Sequence, residues 1–280
     1  MGSCPQALAI AVGAHPLAWF GAALLAVVGL VGALSALWQR RLWPGLRNRL
    51  QPYGASALML AVLLIGLLMA AGGGALIAEL VEAIDPGAGG RRCVGVLDQA
   101  LTGQLQQSLS LSTLQLFGLL THLGDTLTLT VICVVSALWL LRGGWRDLAL
   151  ALPLAGAGGG LLVRLLKSSF ERARPLHEHA VAVVAQGFSF PSGHSAGSTV
   201  VYGMLAYALM RLAPRWRTPL AMAAAALVFT IGCSRVLLQV HWASDVLAGF
   251  VTGIAWLALC VAACEMGRLR AGKSGSVRGM

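Results

Sequence analysis

Long apolar runs separated by short polar turns set the character of this chain. Seven runs, roughly 17–38, 56–79, 126–142, 147–166, 195–212, 218–238 and 245–266, meet or approach the length of about 20 residues that a helix needs to cross a bilayer core. RGGWR joins the third to the fourth and APRWR the fifth to the sixth, so these pairs are predicted hairpins. The stretch LDQALTGQLQQSLSLSTLQLFGLL mixes apolar and polar positions at helical spacing. It predicts one or two short amphipathic helices lying on the membrane surface, within a region 80–125. The run AGAGGG at 155–160 lacks the Lys-Ser/Thr that follows a phosphate loop, so it predicts close helix packing instead.

Composition supports this pattern. The chain is 58% hydrophobic and 11% charged, against about 25% charged for a soluble domain. The fold class is all-α, a polytopic membrane helix bundle. Net charge is +10, which raises the question of nucleic acid. The distribution argues otherwise. Arg40, Arg41, Arg47 and Arg49, then Arg142 and Arg146, then Arg211, Arg215 and Arg217, then Arg268, Arg270, Lys273 and Arg278 cluster between or after apolar runs. Cytoplasmic loops carry such excess Lys and Arg, and anionic lipid is partner enough for them. With 39–55 in the cytoplasm, alternation puts 80–125, 167–194 and 234–245 outside, together with the N-terminus. The N-terminus lacks a basic start and a small-residue cleavage site, so it is expected to be retained. Trp19, Trp38, Trp43, Trp139, Trp145 and Trp216 fall near segment ends, as interface anchors do. Of six cysteines, Cys133, Cys233, Cys260 and Cys264 lie in apolar segments as free thiols. No bridge is expected between Cys4 and Cys93, and no spacing suggests zinc.

The alternation brings three polar islands to one face: KSSFERARP at 167–175, FPSGH at 190–194, and SRVLLQVHWASD at 234–245. Lys167, Arg174 and Arg235 are cations suited to a multiply charged anion, with phosphate the obvious candidate. Ser192 and Gly193 open a helix whose first amides complete a phosphate cradle. Asp245 lies four residues after His241, so a helical turn places both on one face. A carboxylate on one ring nitrogen fixes the tautomer and leaves the other nucleophilic. His194 is then free to protonate a leaving oxygen. Such a site needs no metal and no cofactor, because the cations stabilise the transferring phosphoryl group.

Lys167, six residues, Arg174-Pro175; Pro191-Ser192-Gly193-His194; and Ser234-Arg235, five residues, His241, three residues, Asp245 resemble the three-part signature of the type 2 phosphatidic acid phosphatase superfamily. The motifs span 167–245. Segments two to seven resemble the six-helix core of its membrane members, and segment one is extra. The resemblance implies His241 as nucleophile, Asp245 as its partner and His194 as acid. It implies Lys167, Arg174, Ser192, Gly193 and Arg235 as phosphate binders.

The expected organisation is an N-terminal transmembrane helix with a basic loop (1–55), a phosphatase core (56–266) and a basic cytoplasmic tail (267–280). The expected activity is metal-independent hydrolysis of a terminal lipid phosphate in a bacterial-type inner membrane, with the site facing the periplasm. The superfamily suggests undecaprenyl diphosphate, phosphatidylglycerol phosphate, phosphatidic acid or lipid A phosphates as substrates. Rival readings are a lipid phosphotransferase using the same residues and a non-enzymatic lipid-phosphate binder or transporter. A vanadium haloperoxidase is set aside because its relatives are soluble. Ser234 either bonds phosphate or caps its turn. Arg172 reads as a headgroup or surface contact. His177 and His179 read as a solvated loop. His122 and Asp125, without basic neighbours in sequence, read as a surface cap.

Overall fold

A computed structural model describes residues 6–42, 93–175 and 186–277. The second apolar segment, most of the first basic loop, Cys4, His177 and His179 lie outside the described residues. Every regular element within them is helical: α1 (Gln6–Ala14), α2 (Pro16–Leu37), α3 (Cys93–Ser108), α4 (Leu111–Thr121), α5 (Thr126–Arg142), α6 (Arg146–Phe170), α7 (Gly193–Leu212), α8 (Arg217–Leu237) and α9 (Ala243–Val277). Local signals agree with the boundaries. Pro16 sits at the first turn of α2, where its missing N–H costs nothing. Asp147 opens α6 and Lys167 closes it, each matching the helix dipole. Ser192 caps α7 by accepting from the Ser195 amide.

Among the described residues, α2, α6, α8 with its leading turn, and α9 to Arg268 are each long and apolar enough to cross a membrane. Two expected spans differ. The 17 residues of α5 reach that length only together with α4, from which α5 is bent by 45°. α7 is the enclosed centre of the bundle, packed by α5, α6, α8 and α9. Lipid contact is left to its neighbours, so α7 can carry buried Ser195, Ser198 and Thr199. Leu25, Leu30, Leu127, Leu150, Leu154 and Leu161 are exposed, which suits hydrocarbon and not water.

Two close approaches fix the frame. On α9, Gly249 and Gly253 form a GxxxG pair facing α7. A Cβ at Gly249 would lie 2.6 Å from the Ser192 carbonyl, and one at Gly253 would lie 2.7 Å from Thr199 Cβ. Small residues at this spacing let two backbones meet in a membrane. The Gly-rich run of α6 makes room for Trp256. A Cβ at Gly158 would meet its ring at 2.4 Å, and its Nε1 donates to the Ala155 carbonyl at 2.9 Å.

The helix ends sort into two groups. At one end Arg211 bonds Asp147 at 2.7 Å, and Gln39 bonds Thr218 at 3.1 Å. The basic clusters at 142–146, 211–217 and 268 belong to this end. At the other end the three polar islands meet. The Ser108 hydroxyl donates to the Gly13 carbonyl at 2.6 Å, so the start of α2 also lies there, as the alternation predicts. α3 and α4 are packed rather than merely laid on the surface. Leu105, Leu114 and Phe117 share a core cluster with Leu237 at the end of α8 and with Leu238 and Val240 just after it.

Candidate active site

Three local features deliver the polar side chains. α6 ends at Glu171 with φ 45°, a left-handed conformation that turns the chain sharply after Lys167. α8 ends in a tight return, in which Val240 and His241 amides donate to the Arg235 carbonyl at 3.1 and 3.2 Å. Gln239, at φ 56°, completes that return. Finally, the Ser192 amide donates to the Asp245 carbonyl at 3.0 Å, tying the start of α7 to the first turn of α9.

His241 and Asp245 are both buried, with Nδ1 and Oδ2 3.2 Å apart. His241 precedes α9 and only Asp245 is in it, yet the pairing is the one expected. The opposite nitrogen, Nε2, lies 3.1 Å from Arg174 Nη1. Arg174 is held by carbonyls: Nε to Gly187 at 2.9 Å, Nη1 to Val240 at 2.7 Å, and Nη2 to Gln186 and Phe188 at 3.1 and 3.2 Å. The Lys167 ammonium donates to the same Phe188 carbonyl. Arg235 is buried. Its Nη1 donates to Thr121 Oγ1 at 2.8 Å, and its Nε has no protein partner among the described residues. An unpartnered buried guanidinium N–H is a donor awaiting an acceptor. A Cβ on Gly193 would make only an ordinary 3.7 Å contact with Val163, so packing within the protein does not demand this glycine.

Charge follows from this setting. Burial, aided by the Arg174 and Arg235 charges, pushes His241 down to about 4 despite Asp245. Burial also lowers Arg174, partly offset by Asp245. His241 is therefore neutral at physiological pH, with Nε2 available.

The expected site residues thus converge on one end of the bundle, while others, read differently or missed, belong there too. The Ser234 hydroxyl donates to the Ile231 carbonyl one turn back in α8 at 2.6 Å. Arg172 is no surface contact. Its guanidinium bonds Asp245, bonds Asp98 of α3 at 2.9 Å and Ser244 at 2.8 Å, and stacks over Trp242. Asp98 also accepts from the Ser244 amide at 3.1 Å. Ser189 donates to Asp245 Oδ2. Asp125 is not a bare cap: its Oδ1 lies 2.9 Å from His194 Nε2.

Helices long and apolar enough to span a membrane, with buried cations and two imidazoles gathered at one end, define the class: a polytopic helical membrane protein. The chain belongs to the PAP2 superfamily, whose family model matches residues 147–267. It is 35% identical over 140 residues to phosphatidylglycerophosphatase B of Bacillus subtilis, covering 48% of this chain and 67% of that protein. It is 40% identical over 111 residues to lipid A 1-phosphatase of Rhizobium johnstonii, covering 37% of this chain and 42% of that protein, so under half of that relative is matched. It also resembles the crystal structure of the transmembrane PAP2-type phosphatidylglycerolphosphate phosphatase from Bacillus subtilis, at 28% identity and a TM-score of 0.56, over 76% of this chain and 96% of the other. These relatives support a lipid phosphatase, and the protein is multi-pass.

Proposed function

We propose that this protein hydrolyses the terminal phosphate of a lipid phosphate or diphosphate through a phosphohistidine on His241. One observation carries the reading. His241 is held by Asp245 on one nitrogen and meets the Arg174 guanidinium with the other, where an anion and its phosphorus would arrive. The phosphoryl oxygens take their counter-charge from Lys167, Arg174 and the free Nε of Arg235, and hydrogen bonds from the first amides of α7. Phosphate approaching that helix start accounts for Gly193, which packing alone does not. Nε2 of His241 attacks phosphorus as the P–O bond to the lipid breaks. His194 supplies the proton that the departing oxygen needs. Asp245 stabilises the positive ring of the intermediate, and water then cleaves the P–N bond. These cations perform the neutralisation that a metal performs elsewhere, so the reaction is proposed to be metal-independent.

The same reading places residues 1–55 as an added helix and basic loop, 56–266 as the catalytic core and 267–280 as a basic tail. The basic turns lie at the end opposite the site. This supports an inner-membrane location with the site facing the periplasm. The relatives suggest phosphatidylglycerol phosphate and lipid A 1-phosphate as first substrates to try. The test is inorganic phosphate release by detergent-purified protein in EDTA, on these two lipids, phosphatidic acid and undecaprenyl diphosphate. Release that disappears in His241→Ala and is inhibited competitively by vanadate is expected. Abolition by EDTA with rescue by Mg²⁺ would refute the metal-free route. Binding without release would favour a carrier.

A further inference from the structure

The bend between α4 and α5 carries chemistry that the mechanism above leaves unused. Asp125 stands at the N-cap position of α5, yet its side chain accepts no capping bond from that helix. Both oxygens are turned elsewhere: Oδ1 to His194 Nε2 at 2.9 Å, and Oδ2 to His122 Nδ1 at 2.7 Å. A cap residue that forgoes capping for two imidazoles has another role. The bend itself is fixed in place. The Leu123 carbonyl accepts from the Tyr202 hydroxyl at 2.8 Å, and a Cβ on Gly124 would lie 2.9 Å from the His194 ring.

We infer that Asp125 is the positioning residue of the general acid His194, with His122 holding the carboxylate in register. The inference rests on the phosphohistidine reading. The arrangement inverts that at His241. There the carboxylate holds Nδ1 and Nε2 attacks; here the carboxylate holds Nε2 and Nδ1 faces the leaving oxygen. His194 enters the cycle with protons on both nitrogens. Its Nδ1 proton passes to the lipid oxygen as the P–O bond breaks and the P–Nε2 bond to His241 forms. Neutral His194 keeps its Nε2–H on Asp125. Water then attacks phosphorus, the P–N bond breaks, and the water proton returns to Nδ1. Burial is the main force against the cationic form, and Arg235 of α8 and His241 of the α8–α9 turn repel it as well, so the form persists only with a carboxylate beside it. Asp125 is the carboxylate that opposes them, and among the described residues the titratable and charged groups facing Asp125 are His122, His194 and Arg235.

Asp125→Asn tests this in the full-length purified protein, because it keeps the size and shape of the side chain and removes the charge that holds His194. Two probes are used. Dioctanoyl phosphatidic acid has an alkoxide leaving group that needs a proton, and p-nitrophenyl phosphate has a phenolate that leaves without one. The expected loss in kcat is roughly 100-fold on the first, the scale of general acid catalysis, and under about 10-fold on the second. The alkaline limb of the phosphatidic acid profile should move to lower pH. His122→Gln should show a milder form of the same split. Adding Asp125→Asn to His194→Gln should cost little more. Equal losses on both probes, or an unmoved alkaline limb, would overturn the inference and leave the phosphohistidine reading intact. A wild type inert on both, or His241→Ala retaining p-nitrophenyl phosphate turnover, would remove that reading and the inference with it.

Discussion

Arg172→Met isolates the ion network behind His241, the proposed nucleophile. The arginine side chain is 13% exposed, and its partners Asp98 and Asp245 are 5% and 0% exposed. Methionine keeps an unbranched apolar stem but removes the guanidinium and its charge. Breaking a buried pair by deleting one partner costs about 3–5 kcal/mol, because a buried charge is left uncompensated. Here the lower figure applies. Asp98 keeps the Ser244 amide and hydroxyl, and Asp245 keeps Ser189, His241 and the Trp242 amide at 3.0 Å. About 3 kcal/mol corresponds to a midpoint about 6–12 °C lower for a chain of this size. The assay is a thermal melt followed by circular dichroism in one detergent. Arg268→Met is the control, since its pair with Glu265 is exposed and worth well under about 1 kcal/mol. Adding Asp98→Asn to Arg172→Met should recover part of the loss, because one stranded carboxylate is then gone. An Arg172→Met protein melting within about 2 °C of wild type would refute the reasoning.

Three further outcomes are expected. His241 ordinarily titrates at 6.5 but is held near 4, so the acid limb of kcat/KM should fall near pH 4, and a limb near 6.5 would contradict the burial argument. The same shift has a stability sign: the unfolded chain binds this proton below about 6.5 and the folded one only near 4, so stability present above 6.5 is lost as pH falls through that window, by up to about 3 kcal/mol, visible in melts at stepped pH. Gly249→Val would put atoms into the Ser192 carbonyl and should cost about 1–3 kcal/mol with loss of phosphate release, whereas Gly21→Ala, with nothing within 4 Å, should leave melting and turnover unharmed. Thr121→Val strands a buried Arg235 N–H, costing about 1–3 kcal/mol, and should weaken vanadate inhibition.

The spans were legible because length and apolarity are local properties. α2, α6, α8 and α9 lie close to where their runs predicted. The two that departed did so for tertiary reasons. α7 can be more polar because four helices shield it, and α5 falls short because the chain bends before it at Asp125. The residues proposed to face phosphate could be singled out because their spacing is compact within three islands. Their supporting partners could not. Arg172 reaches Asp245 across 73 positions, Arg235 reaches Thr121 across 114, and Ser244 reaches Asp98 across 146. No window of sequence contains such pairs. A weak signal did exist: Asp98, Thr121 and Asp125 are polar residues in apolar surroundings, and buried polar groups require partners.

The bent pair of α4 and α5 holds Thr121 and Asp125 against the site while turning Leu111, Leu116, Leu119 and Leu127 outward. The wall beside the candidate site thus also presents an apolar outer face suited to hydrocarbon. For a substrate anchored in the same leaflet, encounter is then a search in two dimensions. Turnover should follow the mole fraction of phosphorylated lipid in the surrounding sheet, and diluting it with inert lipid should slow the protein at constant total concentration.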